Sequence, residues 1–269
     1  MANPVQHVPS RQNLRNNMGL AREFGFAEFN TTDMVVWNDD FLGDTLDGGY
    51  QTTAASGTAL AIAAGANGVA TQVTQASNDA HANFTLGLDW QAQLMCAIAV
   101  RVKIDAITDS KMEIGFSDVA SGTDASAVLL NGVEEGVYTA NATDMAVWAF
   151  DTDSANDTWH GVATYNQNAT DTITGVASDT APVADTYETL IVALEGTRSA
   201  GTTDAWTSPS TAYFYRLNAN GYQVDKQKLT TGPTSNTLLT PHLNVTTRNG
   251  TANTMTVDFV KVWQRRTAD

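Results

Sequence analysis

The chain has 269 residues, of which 42% are hydrophobic and 16% charged, and its formal net charge is −15. That composition suits one sizeable globular core and excludes a disordered tail. A surface this acidic argues against direct nucleic-acid binding, and no apolar run reaches membrane-spanning length.

Residues 1–33 read as an arm. MANPVQHVPS carries Pro4 and Pro9 and no periodicity, which predicts extended chain. Ser10 is placed to cap a short helix running to about Phe24, with Gly25 as its stop. Leu14, Met18 and Ala21 form an apolar stripe at i, i+4 and i+7, too narrow to fold without another surface. Arg11, Arg15 and Arg22 are the arm's only formally cationic residues. Arginine pairs bidentately with carboxylates, so these three are candidate partner-binding residues toward an acidic shell or a neighbouring subunit. A solvated helix face is the alternative.

From residue 34 the chain reads as short strands separated by turns. VVWNDDF leads into the Gly-rich LGDTLDGGY, and ALAIAAGANGVATQV predicts two strands around Asn67-Gly68. LMCAIAVRVKI sets Cys96, Ile98, Val100, Val102 and Ile104 on one face, with Arg101 and Lys103 on the other. Cys96 is the only cysteine, has no disulfide partner, and reads as a small buried hydrophobe. KMEIGFSD turns Met112, Ile114 and Phe116 inward. DMAVWAFD and WHGVATYN are two further strands joined by the turn-rich DTDSAND. YETLIVALEG places Leu190, Val192 and Leu194 on one face, and STAYFYRLNANGYQV is a hairpin around Asn218–Gly221.

TLLTPHLNVTTRNG leads to the closing strand, TMTVDFVKVWQRR. Alternation there predicts Met255, Val257, Phe259 and Trp263 on one face and Thr254, Thr256, Asp258 and Gln264 on the other. At least ten strands, with no helical period after residue 33, predict an all-β fold. Its form would be an antiparallel two-sheet jelly-roll sandwich over residues 34–269, preceded by the arm.

Few residue patterns point to chemistry. In DTDSANDTWH, Asp151, Asp153 and Asp157 match three positions of a calcium loop. Ala155 at the fifth position, and the lack of Gly at the sixth and Glu at the twelfth, favour an ordinary turn, so no metal is expected. His7, His81, His160 and His242 show no metal spacing and read as surface or hydrogen-bonded residues. There is no Gly-X-Ser-X-Gly elbow and no phosphate-binding glycine motif, so no cofactor is expected. Of the six tryptophans, Trp148 and Trp263 read as core. Trp206, in the polar GTTDAWTSPS, is the best candidate for carbohydrate binding by stacking; a loop anchor is the alternative.

Two features carry a resemblance. TVDFVKVWQ resembles the final strand of concanavalin A-like jelly rolls, laminarinase-type glucanases included. The order WNDDFLGD, RVKI, EIGFSD, AVWAFDTDSANDTWHGVAT, YETLIVAL, AYFYRLNANGYQV, LLTPHLNVTTRNG and VDFVKVWQRR is similar to that of tailed-phage virion proteins with such a jelly roll. The resemblance spans roughly residues 34–266.

It implies a non-enzymatic structural protein, foremost a capsid decoration or cement protein. Such a protein is made in the bacterial host cytoplasm and bound to the major capsid protein on the capsid exterior, as a homotrimer. Binding only the assembled shell would stabilise it by mass action. Two alternatives are a glycan- or receptor-binding module of a phage head or tail fibre, and a polysaccharide-degrading enzyme. Glucanases of this type place carboxylates in a Glu-X-Asp-X-X-Glu run on one strand face. Here Glu113 stands alone, Asp118 has the other parity, and Glu134 and Glu135 are adjacent and point apart.

Overall fold

The computed structural model describes residues 34–43, 45–46, 51–55, 57–63, 68–119, 130–134, 137–139, 142–154, 157–166, 174–199 and 205–267. The arm, with Arg11, Arg15, Arg22 and His7, lies outside the described residues.

In chain order the strands begin with β1 (Met34–Asp39), β2 (Gln51–Ala55), β3 (Gly57–Ala63), β4 (Val69–Thr74) and β5 (His81–Thr85). After a short 3-10 turn come β6 (Ala97–Ile104), β7 (Ser110–Ser117), β8 (Leu130–Glu134), β9 (Val137–Thr139), β10 (Met145–Asp151) and β11 (His160–Thr164). The series closes with β12 (Thr174–Ala177), β13 (Glu188–Glu195), β14 (Thr211–Leu217), β15 (Gln223–Leu229), β16 (Thr240–Thr247) and β17 (Thr254–Arg265). An eight-stranded sheet runs β15-β14-β13-β6-β17-β4-β3, with β1 also on β17. A seven-stranded sheet runs β12-β11-β10-β7-β16-β5-β2. Both are antiparallel throughout, and β8 and β9 form a separate hairpin. The fold is an all-β, two-sheet jelly-roll sandwich. The closing strand β17 sits inside the eight-stranded sheet, between β6 on one side and β4 and β1 on the other.

The core lies between the sheets. From the eight-stranded sheet come Ile98, Val100, Val102, Leu190, Val192 and Leu194; from the seven-stranded sheet come Met112, Ile114, Phe116, Trp148, Leu243 and Val245. These are the faces that period-2 alternation assigns to the core. Trp148 reaches across the gap. Its indole N–H lies 3.2 Å from the Ile191 carbonyl and 3.3 Å from the Tyr215 carbonyl, on neighbouring strands of the opposite sheet. Its ring packs edge-on against Phe214 and Trp159. Cys96 is fully buried in this core, and burial pushes its thiol pKa far up.

The closing strand departs from simple alternation. Val257 pairs with Val102 and Phe259 with Arg101, so Asp258 is one extra residue, a β-bulge. The bulge reverses parity. Met255 and Val257 face the core before it, and Val260 and Val262 after it. Phe259 and Trp263 therefore lie on the outer face with Ala97, Ala99, Ile191 and Tyr215, not in the core as alternation predicts. Gln264 correspondingly turns inward, accepting from the Gln91 N–H and donating to the Asp89 carbonyl. Asp258 itself meets Arg101 at 2.6 Å.

Deleting Asp258 would remove the bulge and leave Val257, Val260 and Val262 on the core face. The expected outcome is retained cooperative urea unfolding and near-ultraviolet circular dichroism, with a lowered midpoint from loss of the Arg101 pair and the local twist. Loss of cooperative unfolding would show that the fold requires the bulge itself.

Candidate functional site

Three loops meet at the end of the sandwich where β7 finishes and β16 begins: residues 86–96, 196–199 with 205–210, and 230–239. Ser235, fully buried, ties them together. Its hydroxyl accepts from the Thr197 N–H at 2.9 Å and donates to the Ser208 carbonyl at 2.9 Å. Its carbonyl accepts from the Gln93 N–H at 2.8 Å. Bridges Trp90–Leu239 and Pro209–Thr234 add backbone pairing. The loops approach so closely that glycine is needed at two contacts. A Cβ on Gly196 would fall 2.6 Å from the Gln93 Cα, and one on Gly232 would fall 2.7 Å from the Ser210 hydroxyl.

Trp206 stands on this platform. Its carbonyl accepts from the Asn236 N–H at 3.0 Å, and the Asn236 carbonyl accepts from the Gln91 side-chain amide at 2.9 Å. The ring is half-buried rather than bare, and the Arg198 guanidinium lies over it at 5.0 Å from the centroid. Ser199, Thr207 and Ser208 form a hydroxyl cluster nearby in the same loop. A half-buried ring beside hydroxyls and amides can stack on a sugar through its face and bond the sugar's hydroxyl groups.

The outer face of the seven-stranded sheet carries a second polar group. Lys111 meets Glu113 at 2.6 Å, and the other Glu113 oxygen lies 3.1 Å from His242 Nε2. All three are buried, and His242 Nδ1 has no hydrogen-bond partner among the described residues. Asn244, Thr246, His81, Asn83 and His160 share this face and are also buried. The hairpin β8–β9 contacts β10 and β12 of the same sheet. Burial alone pushes the Glu113 carboxyl up, but Lys111 and His242 outweigh it and hold the pKa below the ordinary carboxylate value. Glu113 is thus not alone, and His81, His160 and His242 are not surface residues. The strands bring them onto one sheet. No Trp, Tyr or Phe lies on this outer face among the described residues, because Phe84, Phe116, Trp148 and Phe150 all turn inward.

At the opposite end, the acidic turn after β10 receives a cation from the chain itself. Arg248 meets Asp151 at 2.6 Å, Asp79 at 2.8 Å and Asp153 at 3.3 Å. Asp157 is exposed and stands outside that cluster. No group of three or more His, Cys, Asp or Glu side chains is arranged to hold a metal among the described residues. Nearby, Arg216 and Glu188 form a second buried pair at 2.5 Å, with Thr180 and Ala181 taking the remaining guanidinium hydrogens. Neither pair is apparent from local spacing, since Arg248 lies 97 residues from Asp151. Parity on KMEI and HLNVTT was the available signal for the Glu113 group, because each run alternates apolar and polar side chains.

No protein-family model matches the chain, and no curated protein matches its sequence. Solved structures match its fold, which is that of the concanavalin A-like and legume-lectin-type jelly rolls. Peanut lectin aligns over 87% of this chain and 99% of its own, at 12% identity and a TM-score of 0.54. The carbohydrate recognition domain of Emp47p covers 88% and 99%, at 7% identity and a TM-score of 0.54. The CBM2 module of the evolved Dit of Lactobacillus casei BL23 phage J-1 covers 87% and 97%, at 9% identity and a TM-score of 0.51.

Two outcomes test the charge groups. Glu113→Gln leaves Lys111 buried without its counter-charge, so it should cost about 3–5 kcal/mol, read from the urea midpoint at neutral pH. Because the folded pKa is lowered, the Glu113 contribution is fully present above the unfolded value of about 4.3 and is lost only as pH falls through the lower folded value. Arg248→Ala should cost a similar amount, while a chelator should leave the wild-type melting temperature unchanged. A large chelator effect would mean that a metal, not Arg248, holds the turn.

Proposed function

We propose that the chain is a non-enzymatic module of a tailed-phage particle that acts by binding carbohydrate, with the loop platform around Trp206 as the contact. The observation that carries this reading is the platform: a half-buried tryptophan, hydroxyls and amides fixed by hydrogen bonds among three loops distant in sequence. The fold is shared with a lectin, with a carbohydrate recognition domain and with a module of a phage Dit protein, which supports the same reading. The absence of catalysis is supported by Glu113. The carboxylate at the centre of the seven-stranded sheet's outer face is buried and bound to Lys111 and His242 rather than open to a substrate.

Within the particle, the finer reading is capsid decoration. The jelly roll stands on the capsid exterior, and the arm ties it to the major capsid protein through Arg11, Arg15 and Arg22. Its support is the order of strand motifs and the arm's composition. A place on a tail or fibre is the competing assignment, and copy number separates them: hundreds of copies per purified particle mean a lattice-covering protein, whereas a few dozen or fewer mean a vertex, fibre or tail.

The binding claim is tested with the full chain in affinity electrophoresis against host cell-wall and capsular polysaccharides. Retention by at least one polysaccharide is expected, with Trp206→Ala weakening it about tenfold or more at an unchanged melting temperature. No retention by any polysaccharide, or retention indifferent to Trp206→Ala, overturns the platform reading.

A further inference from the structure

The outer face of the eight-stranded sheet differs from the rest of the molecule in charge and in composition. Its floor is apolar: Ala97, Ala99, Ile191, Ala193, Tyr215 and Trp263. Cations lie over its rings. Lys228 sits over Tyr213 at 5.4 Å and Lys226 over Tyr215 at 5.2 Å, each pair directly opposed on β14 and β15. Lys261 lies 5.8 Å from the Trp263 centroid, and Arg101 lies 4.4 Å from that of Tyr187. Lys103 completes the set. Among the described residues, three carboxylates answer these five cations: Glu195 bonded to Tyr213, Asp258 to Arg101 and Asp185 to Lys103. The face is therefore locally positive on a chain of net charge −15. Val36 and Val224 are exposed at its two borders, with Tyr213, Phe259 and Leu217 partly exposed between them. A partly apolar, aromatic surface has the make-up of a protein-binding face, and its cations set the sign of the partner.

The end of the sandwich that holds Arg248 has the opposite sign. Asp79, Asp105, Asp109, Asp153, Asp157 and Asp179 gather on its loops, and Arg248 pairs with two of them, Asp79 and Asp153. A face-to-face pairing of two basic sheets would set lysines against lysines. Face against acidic end is complementary.

We propose that this sheet face docks the acidic loop end of a second copy of the chain, head to tail. Such a contact is heterologous. It closes into a ring if the rotation per copy divides a full turn, and otherwise continues as a filament. The inference does not depend on the carbohydrate reading, because the Trp206 platform lies at the other end of the sandwich and stays free. Complementary charge should make the association sensitive to salt.

The experiment is sedimentation equilibrium of the full chain at low and high ionic strength. Concentration-dependent association at low salt is expected, and it should weaken about tenfold or more at high salt. Lys226→Glu with Lys228→Glu should abolish it. Adding Asp157→Lys and Asp179→Lys to that variant should restore it; all four positions are exposed, so folding is not at stake. A monomer at every concentration overturns the proposal, as does association indifferent to both salt and the lysine reversals. Association lost in the double variant but not restored in the quadruple variant also overturns it, because the face would then contact a part of the second copy other than the acidic loop end.

Discussion

The structure depends on one constraint: two antiparallel sheets must each give a continuous apolar face to the same gap. The core strands obey it through alternation, with a change of phase at Asp258 in β17, so each apolar side chain in the gap fixes a neighbour on the outside. Trp148 makes the two faces more than a hydrophobic contact, because its N–H is aimed at two carbonyls of the opposite sheet. A sliding of one sheet over the other would leave that donor buried without an acceptor, a cost of about 1–3 kcal/mol. Burial brings the sheets together, and the indole helps to set their register.

Charge is handled at the margins of that gap. The cations that are most buried, Lys111, Arg216 and Arg248, each meet a carboxylate at 2.5–2.6 Å. Pairing offsets the desolvation that would otherwise make these charges untenable, although replacing both partners with apolar groups is often no worse. Their value lies in specificity. The Arg216 and Arg248 pairs join separate elements, β13 to β14 and the end of β10 to the turn after β16, while Lys111 and Glu113 share β7 and Glu113 reaches β16 through His242. A strand paired out of register would bury a charge alone.

Much of this was legible in the sequence, and the reasons are particular. Met112, Ile114 and Phe116, or Leu190, Val192 and Leu194, declare their faces by local alternation. The hairpins at Gly68 and at Asn218–Gly221 follow from turn chemistry. What alternation cannot reveal is a change of phase, and one extra residue at Asp258 sent Phe259 and Trp263 to the outside. Nor can it reveal which strands become neighbours. Glu113 and His242 meet only because β16 lies beside β7, across 129 residues of chain. Trp206 was visible as a tryptophan in polar surroundings, but the Arg198 guanidinium over its ring comes from loop geometry.

Cys96 has a practical consequence. It is the chain's single thiol, and it lies wholly inside the sandwich with its ionisation suppressed by burial. Only the thiolate reacts readily with electrophiles, so the native molecule is silent toward maleimide dyes and spin labels. A cysteine placed anywhere on the surface would be the one reactive position. The fold thus comes ready for distance and orientation measurements without first removing a native residue.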